Sequence, residues 1–357
     1  MSNPTWILYG ANGYTGELIA EEAVRRGMRP VLAGRNAERI RPIAERLGLE
    51  HRAFGLDDPA ELDRQFGGTK LVFLAAGPFS RTSRPVVDAC LRAGASYADI
   101  TGEYPVFEAV FSRDAAACDA GSTLIPGAGF DVVPSDCLAA SLKAALPDAN
   151  TLELAFAGSE GPSAGTAKTM LEGLPHGGAI RKNGRITQVP AAWKTRTVPF
   201  ADRTREAVLI PWGDIATAYH STGIANITTY MAAPANVVRA MRIAGRFGWL
   251  LGADPIQALL GRMIDRKVKG PDAERRRVAR MYLWGRASSP AGEAVEGTLE
   301  TPEAYQLTML AGVEVASRLL AGDVEPGAKT PSMAFGAGFI TEIDECDLRI
   351  GAPKRMS

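Results

Sequence analysis

The chain has 357 residues, 46% of them hydrophobic and 22% charged, a globular composition long enough for two separate cores. Lysine plus arginine and aspartate plus glutamate number 40 each, so net charge is zero and favours neither nucleic acid nor an anionic membrane as partner. Cys90, Cys118, Cys137 and Cys346 form no CxxC pair, and the three histidines (His51, His176, His220) are scattered, which argues against a metal site and a redox motif.

The N-terminus runs from Thr5 straight into a strand-like segment without a charged secretory n-region. With few cysteines, this predicts a cytoplasmic protein. Strand and helix then alternate. Strands are predicted at Trp6 to Tyr9, Arg29 to Ala33, His51 to Leu56, Lys70 to Ala75, Ser96 to Ile100 and Ser122 to Pro126. Helices are predicted at Glu17 to Arg26, Ala37 to Leu47, Pro59 to Phe66, Arg84 to Ala93 and Val106 to Ala120, several of them stopped by glycine. Repeated βα units of this length give a mainly parallel, doubly wound sheet, the Rossmann class of α/β fold.

After Leu146 the pattern changes. Thr151 to Ala157, Gly184 to Val189 and Ala207 to Ile210 read as short strands, and Thr217 to Met231, rich in Thr, Ile and Tyr, as strand-like. A hairpin is expected from Val278 to Leu299 with its turn near Ser288 to Gly292. Pro302 to Leu320 is an amphipathic helix. The organisation expected is a Rossmann domain at 1–146, an inserted α+β domain at 147–300, largely antiparallel, and a C-terminal helix and tail at 301–357 returning to the first domain. No apolar run spans a bilayer, because Arg239, Arg242, Arg246, Asp254 and Arg262 interrupt Val237 to Ile264. That segment fits packing in the second domain or an amphipathic pair on a membrane or partner. The basic run Arg275, Arg276, Arg277, Arg280, beside Lys267 and Lys269, reads as a solvated helix face.

The chemistry-bearing signal is Gly10-Ala11-Asn12-Gly13-Tyr14-Thr15-Gly16, a glycine-rich turn between the first strand and first helix. Bare backbone admits a pyrophosphate there, and the helix N-terminus supplies N–H groups and positive potential. The GxxGxxG spacing is commoner among NADP-binding variants. Arg35, after the second strand, stands where NAD-specific folds place an acid, and suits the 2′-phosphate of NADP(H). Asp57 is a candidate for the adenine amino group. Three further loops follow strand ends: Ala76-Gly77-Pro78-Phe79, Thr101-Gly102, and Gly129-Phe130-Asp131, all candidates for the cofactor crevice, with Asp131 shaping the nicotinamide end.

The motifs GANGYTG, AGR, AAGPF, PVVDACLRAG with SYADITGE, and PGAGFDVVPSD resemble the saccharopine dehydrogenase (reductase)-like family, which includes trans-acting enoyl reductases. Ser163 to Thr166, Ser221 to Ile227 and Gly327 to Pro331 also fit, with Ala164 replacing a glycine usual in the family. The resemblance implies an NADP(H)-dependent oxidoreductase whose second domain closes over the nicotinamide, with hydride passing to or from a C=C, C=N or C=O group in an interdomain cleft.

Rival chemistries fail on spacing. Tyr219, Tyr282 and Tyr305 are followed four residues on by Gly223, Arg286 and Met309, so no YxxxK of a short-chain dehydrogenase exists there. Gly161-Pro162-Ser163-Ala164-Gly165 matches GxSxG formally but lacks the strand-to-helix elbow. Tyr219, His220 and Lys168, with Tyr230, are candidate acids, and Thr217 to Thr222 is expected to face the nicotinamide. A small-molecule or lipid-like substrate, peripheral membrane contact and a homodimer fit this reading. A trans-acting enoyl reductase on a lipid or polyketide-type substrate, and a non-catalytic nucleotide-binding regulator, are its alternatives.

Overall fold

The computed structural model describes residues 5–158, 173, 177–246, 256, 260–263 and 273–355. The chain divides into two units, Met1–Val133 with Tyr305–Phe335, and Pro134–Ala304 with Gly336–Ser357.

The first unit opens with β1 (Trp6–Tyr9), α1 (Tyr14–Arg25), β2 (Val31–Gly34), α2 (Ala37–Leu47), β3 (His51–Ala53), α3 (Pro59–Phe66), β4 (Leu71–Leu74), α4 (Phe79–Ala93), β5 (Ser96–Asp99), α5 (Tyr104–Phe111), α6 (Asp114–Ala120) and β6 (Thr123–Ile125). β1, β2 and β4 are buried at every position, as central strands of a sheet covered on both faces must be. Helix α4 buries Phe79, Ser83, Val86, Val87 and Cys90, a helical stripe, and stops at Gly94 in the left-handed conformation (φ 64°). The expected helix over Val106 to Ala120 is two helices. Ser112 caps the first by donating from Oγ to the Ala109 carbonyl (2.7 Å), and the backbone leaves helical geometry at Arg113.

In the second unit come α7 (Val133–Ala145), β7 (Thr151–Ala157), β8 (Gly178–Lys182), β9 (Arg185–Val189), β10 (Thr195–Pro199), β11 (Thr204–Leu209), α8 (Asp214–Thr222), β12 (Asn226–Ala232), α9 (Ala235–Arg246), α10 (Ala273–Val278), β13 (Arg280–Ser288) and β14 (Glu293–Pro302). The chain then contributes α11 (Ala304–Ala321), β15 (Gly327–Ala328) and α12 (Pro331–Phe335), of which Tyr305 onward belongs to the first unit. It closes the second unit with β16 (Asp347–Ile350) and β17 (Lys354–Arg355). The tail is thus divided: residues 336–357 join the second sheet because β16 and β17 pair with β14.

The first sheet runs β15-β6-β5-β4-β1-β2-β3 with every neighbouring pair parallel. The second follows the path β10-β11-β12-β7-β13-β14-β16, antiparallel except for β12 beside β7. Leu138 and Leu142 of α7 pack so close to Gly285 that a methyl on it would lie 2.7 Å from Leu142 Cδ1. Ala155, Ile180, Val198, Phe200, Tyr230 and Trp284 form a separate apolar cluster of this unit.

The strand expected from Thr217 is corrected. Asp214–Thr222 is a helix, and the strand starts at Asn226. The β-branched composition suggested a strand, but Ile215, Ala216, Ala218 and Thr222 bury a helical face, and Gly223 in the left-handed region ends it. Among the described residues no helix is long and apolar enough to cross a membrane. Ser163 to Thr166, Lys168 and most of the interval from 247 to 264 lie outside the described residues.

Candidate functional site

Because the first sheet is parallel and in register, Tyr9, Gly34, Ala53, Leu74, Asp99 and Ile125 end their strands on one edge. β1 has β2 on one side and β4 on the other, so the connections reverse direction at its carboxyl end. Open α/β sheets bind ligands at such a switch point.

The glycine loop occupies it. Gly10 N–H donates to the Ala33 carbonyl (2.8 Å), and Gly13 N–H to the Gly10 carbonyl (2.9 Å). Gly10 has φ 93°, and a Cβ on it would stand 2.7 Å from Ala75 C and Ala76 N. A Cβ on Gly16 would stand 2.3 Å from Gly10 O. At Gly13 the nearest atom is Gly10 O at 3.3 Å, and φ is −82°. The first and third glycines are therefore required by the protein's own packing, whereas at Gly13 a Cβ would meet only Gly10 O, tightly but within reach of a small shift. Gly13 is also the N-cap of α1 and has no side chain to satisfy the first-turn N–H groups. Those donors and the bare backbone make a cradle that fits a pyrophosphate. Ala11 is buried beneath the loop, and Asn12, Tyr14 and Thr15 are half-buried along it. The Tyr14 ring meets Tyr305 of α11 edge-on (centroids 5.0 Å apart).

Arg35 and Asp57 lie exposed beyond β2 and β3. Tyr9 Oη donates to the Phe54 carbonyl (2.9 Å), and burial pushes its pKa up to about 12. The Arg35 charge lowers that value and the Asp57 charge raises it, so both groups act on the same end of β1. Both follow strands on the β2–β3 side of the sheet.

On the β4–β5–β6 side a buried network fixes the loops. Asp99 is fully buried; its Oδ1 accepts from Thr101 N–H (2.9 Å) and Gly127 N–H (2.8 Å), and its Oδ2 from Tyr97 Oη (2.5 Å). Burial raises the Asp99 pKa to about 6. Glu103 caps α4, accepting from Phe79 N–H (2.8 Å) and Ser80 N–H (2.9 Å), and its own N–H donates to Thr101 Oγ1 (3.1 Å). Thr82 Oγ1 donates to the Ala76 carbonyl (2.7 Å), and the Gly77–Pro78 peptide is cis. Helix α11 holds the third loop: Phe130 N–H donates to Thr308 Oγ1 (3.0 Å), and a Cβ on Gly129 would lie 2.8 Å from Thr308 Cγ2. Asp131 Oδ2 would be 2.5 Å from a Cβ on Gly102, so this carboxyl rests on bare glycine backbone. Burial raises the Asp131 pKa to about 7.

The sequence-predicted cofactor residues thus share one unit and one sheet edge. Asp99, Glu103 and Thr308, which organise that edge, were not singled out as site residues. The acid closing the apolar fifth strand before Thr-Gly was the available signal for Asp99; nothing local marks Thr308.

Tyr219 and His220 lie in the second unit on α8, their rings 5.8 Å apart. The buried Arg181 guanidinium covers the Tyr219 ring at 4.1 Å, while its Nε donates to the Ile215 carbonyl (2.5 Å) and its Nη1 to the Gly184 carbonyl (2.7 Å). Tyr219 therefore packs as part of the clasp between α8 and the β8–β9 turn. Tyr230 is buried on β12.

Residues 6–125 match the saccharopine dehydrogenase NADP-binding domain. A Mycobacterium tuberculosis (strain ATCC 25618 / H37Rv) protein named provisionally as a trans-acting enoyl reductase is 35% identical over 185 residues, 47% of this chain and 43% of that protein. The trans-acting enoyl reductase of Mycobacterium leprae is 36% identical over 143 residues, 36% of this chain and 33% of that protein. The chain thus spans less than half the length of these relatives. The fold matches apo saccharopine dehydrogenase (L-Glu forming) from Saccharomyces cerevisiae with TM-score 0.65 and 12% identity, over 98% of this chain and 100% of that one.

Proposed function

We propose, taking residues 6–125 as an NADP-binding domain of the saccharopine dehydrogenase type, that the chain is an NADP(H)-dependent oxidoreductase acting on a C=C, C=N or C=O bond. The observation that carries this reading is the cradle, which is closed to any Cβ at Gly10 and Gly16 and tight, against Gly10 O alone, at Gly13. The Gly10 to Gly16 backbone would hold the pyrophosphate, Arg35 the 2′-phosphate and Asp57 the adenine amino group. Ala76 to Phe79, Thr101, Gly102 and Gly129 to Asp131 would line the nicotinamide end. NADP(H), when bound, supplies or accepts the hydride at C4.

The chain's own contribution is orientation, exclusion of water and handling of one proton. Asp99 and Glu103 hold three loops in fixed register, so the nicotinamide end is built before any ligand arrives, which lowers the cost of ordering it. Among the three acceptor bonds, C=C is favoured because the curated relatives are named for enoyl reduction. Loss of NADPH absorbance with a panel of enoyl thioesters, imines and ketones tests this. Turnover confined to imines or ketones excludes the enoyl assignment, and no turnover with any class favours a nucleotide-binding regulator.

A second reading, reduction of a lipid-linked enoyl group at a membrane surface, is favoured by one observation. On α9 Val237 and Ile243 are exposed (40% and 50%), on a helix that also carries Arg239, Arg242 and Arg246. Co-sedimentation with anionic liposomes tests it, and full recovery in the supernatant rejects it.

A further inference from the structure

Asp99 is committed to two backbone N–H groups and Tyr97 Oη, and Glu103 to two N–H groups at the start of α4. Asp131 follows the loop that these bonds fix. Gly127 N–H and Ala128 N–H are held by Asp99, Phe130 N–H by Thr308, and Val133 N–H by the Gly129 carbonyl (2.9 Å). Its carboxyl is pressed onto the Gly102 backbone, where no larger residue fits. The placement is rigid, and it lies on the side of β1 opposite Arg35 and Asp57, the side that a dinucleotide anchored by Arg35 gives to its nicotinamide.

We infer that Asp131 couples cofactor redox state to a proton: its carboxyl is ionised beside the oxidised, cationic nicotinamide and protonated beside the reduced, neutral one. The inference rests on the cofactor reading proposed above. An opposite charge favours the ionised form of a carboxyl, and a neutral apolar ring favours the protonated form. A group balanced near neutrality by burial is the one such a charge tips. The titratable and charged groups on the neighbouring elements of this unit include Arg81 at the start of α4, Tyr97, Asp99, Glu103, Tyr104 and Glu108 on and after β5, and Tyr305, Glu314 and Arg318 on α11. Burial, not any of these charges, raises Asp131.

The coupling balances a reduction. NADPH, when bound, would supply hydride with its two electrons to one carbon of the double bond and be left oxidised. The Asp131 O–H bond then breaks, its proton bonds to the second carbon, and the carboxylate left behind neighbours the cation. Release of the oxidised cofactor returns Asp131 to its original pKa, and it regains a proton from solvent.

The test is calorimetric titration of the full chain with NADP+ and with NADPH between pH 6 and pH 8, each in two buffers of different ionisation heat. Both forms carry the same 2′-phosphate, so its titration cancels in the comparison. NADP+ should bind on the order of fivefold tighter at pH 8 than at pH 6 relative to NADPH, releasing roughly half a proton at pH 7. Asp131→Asn should make the two profiles parallel. Parallel profiles and no proton release in the unmodified chain overturn the inference while leaving cofactor binding intact, as does a pH difference that survives in Asp131→Asn. Failure of both nucleotides to bind overturns the cofactor reading and this inference with it.

Discussion

Gly13→Val separates what the glycine loop does for a ligand from what it does for the fold. A side chain at Gly10 or Gly16 would meet backbone at 2.7 or 2.3 Å. Gly16→Ala should therefore force loop and helix apart and cost about 1–3 kcal/mol of stability, typical of overpacking. Gly13 is different. Its φ of −82° and ψ of 158° are ordinary extended geometry, and the nearest atom to an added Cβ is Gly10 O at 3.3 Å, which a shift of a few tenths of an ångström relieves. The fold should lose no more than about 1 kcal/mol, a fall in Tm of roughly 2–4 °C for a chain of this size. The branched side chain projects into the space a pyrophosphate needs, so NADPH affinity should fall at least a hundredfold, about 2.7 kcal/mol. Thermal denaturation and calorimetric titration of the same preparations give both numbers. Undiminished NADPH binding in Gly13→Val would show that the loop is structural only, and a collapse in its Tm would refute the open cradle.

Three further outcomes follow from the same geometry. Asp131 has its pKa raised from the usual carboxyl value near 3.8 to about 7. The folded protein therefore holds a proton that the unfolded chain has lost, and stability falls as pH rises from about 4 to 7. Asp131→Asn should remove this loss and gain about 2–4 kcal/mol at pH 8 but little at pH 4; an equal difference at both pH values contradicts the placement. Asp99→Ala strands Thr101 N–H, Gly127 N–H and Tyr97 Oη in a buried setting and should cost about 3 kcal/mol or more by chemical denaturation, whereas a cost below about 1 kcal/mol would show that water or relaxation satisfies them. Tyr219→Leu uncovers the Arg181 guanidinium and should lower stability by about 1–3 kcal/mol, while Tyr219→Phe keeps the stack and the stability; a hundredfold loss of turnover in Tyr219→Phe would instead return Tyr219 to the role of acid.

The Rossmann half was legible because its signals are local. A buried apolar strand, a glycine turn and an amphipathic helix follow one another within Trp6 to Arg25, and the unit repeats. The positions of Arg35 and Asp57, just past the ends of β2 and β3, were legible from the same local pattern. What escaped depends on contacts far apart in sequence. Thr308 reaches Phe130 across 178 residues, and Asp99 reaches Gly127 across 28. Helix α8 was misread because Thr217, Thr222 and Tyr219 have strand-like composition, whereas the apolar spacing within it is helical. Strands β8 and β10 were missed because edge positions such as Lys182, Thr195 and Thr197 carry polar residues and little alternation. The motif marked Asp131 as part of a loop, but its packing against Gly102 is a product of the fold.

The central claim is that the sheet edge of the first unit takes NADP(H) with Arg35 on its 2′-phosphate. Calorimetric titration of the full chain and of Arg35→Ala with NADPH and NADH tests it most directly. The account predicts NADPH binding at least tenfold tighter than NADH, about 1.4 kcal/mol, with Arg35→Ala losing most of that preference and leaving NADH affinity nearly unchanged. Equal affinities for the two nucleotides in the unmodified chain, or a preference that survives in Arg35→Ala, would contradict it.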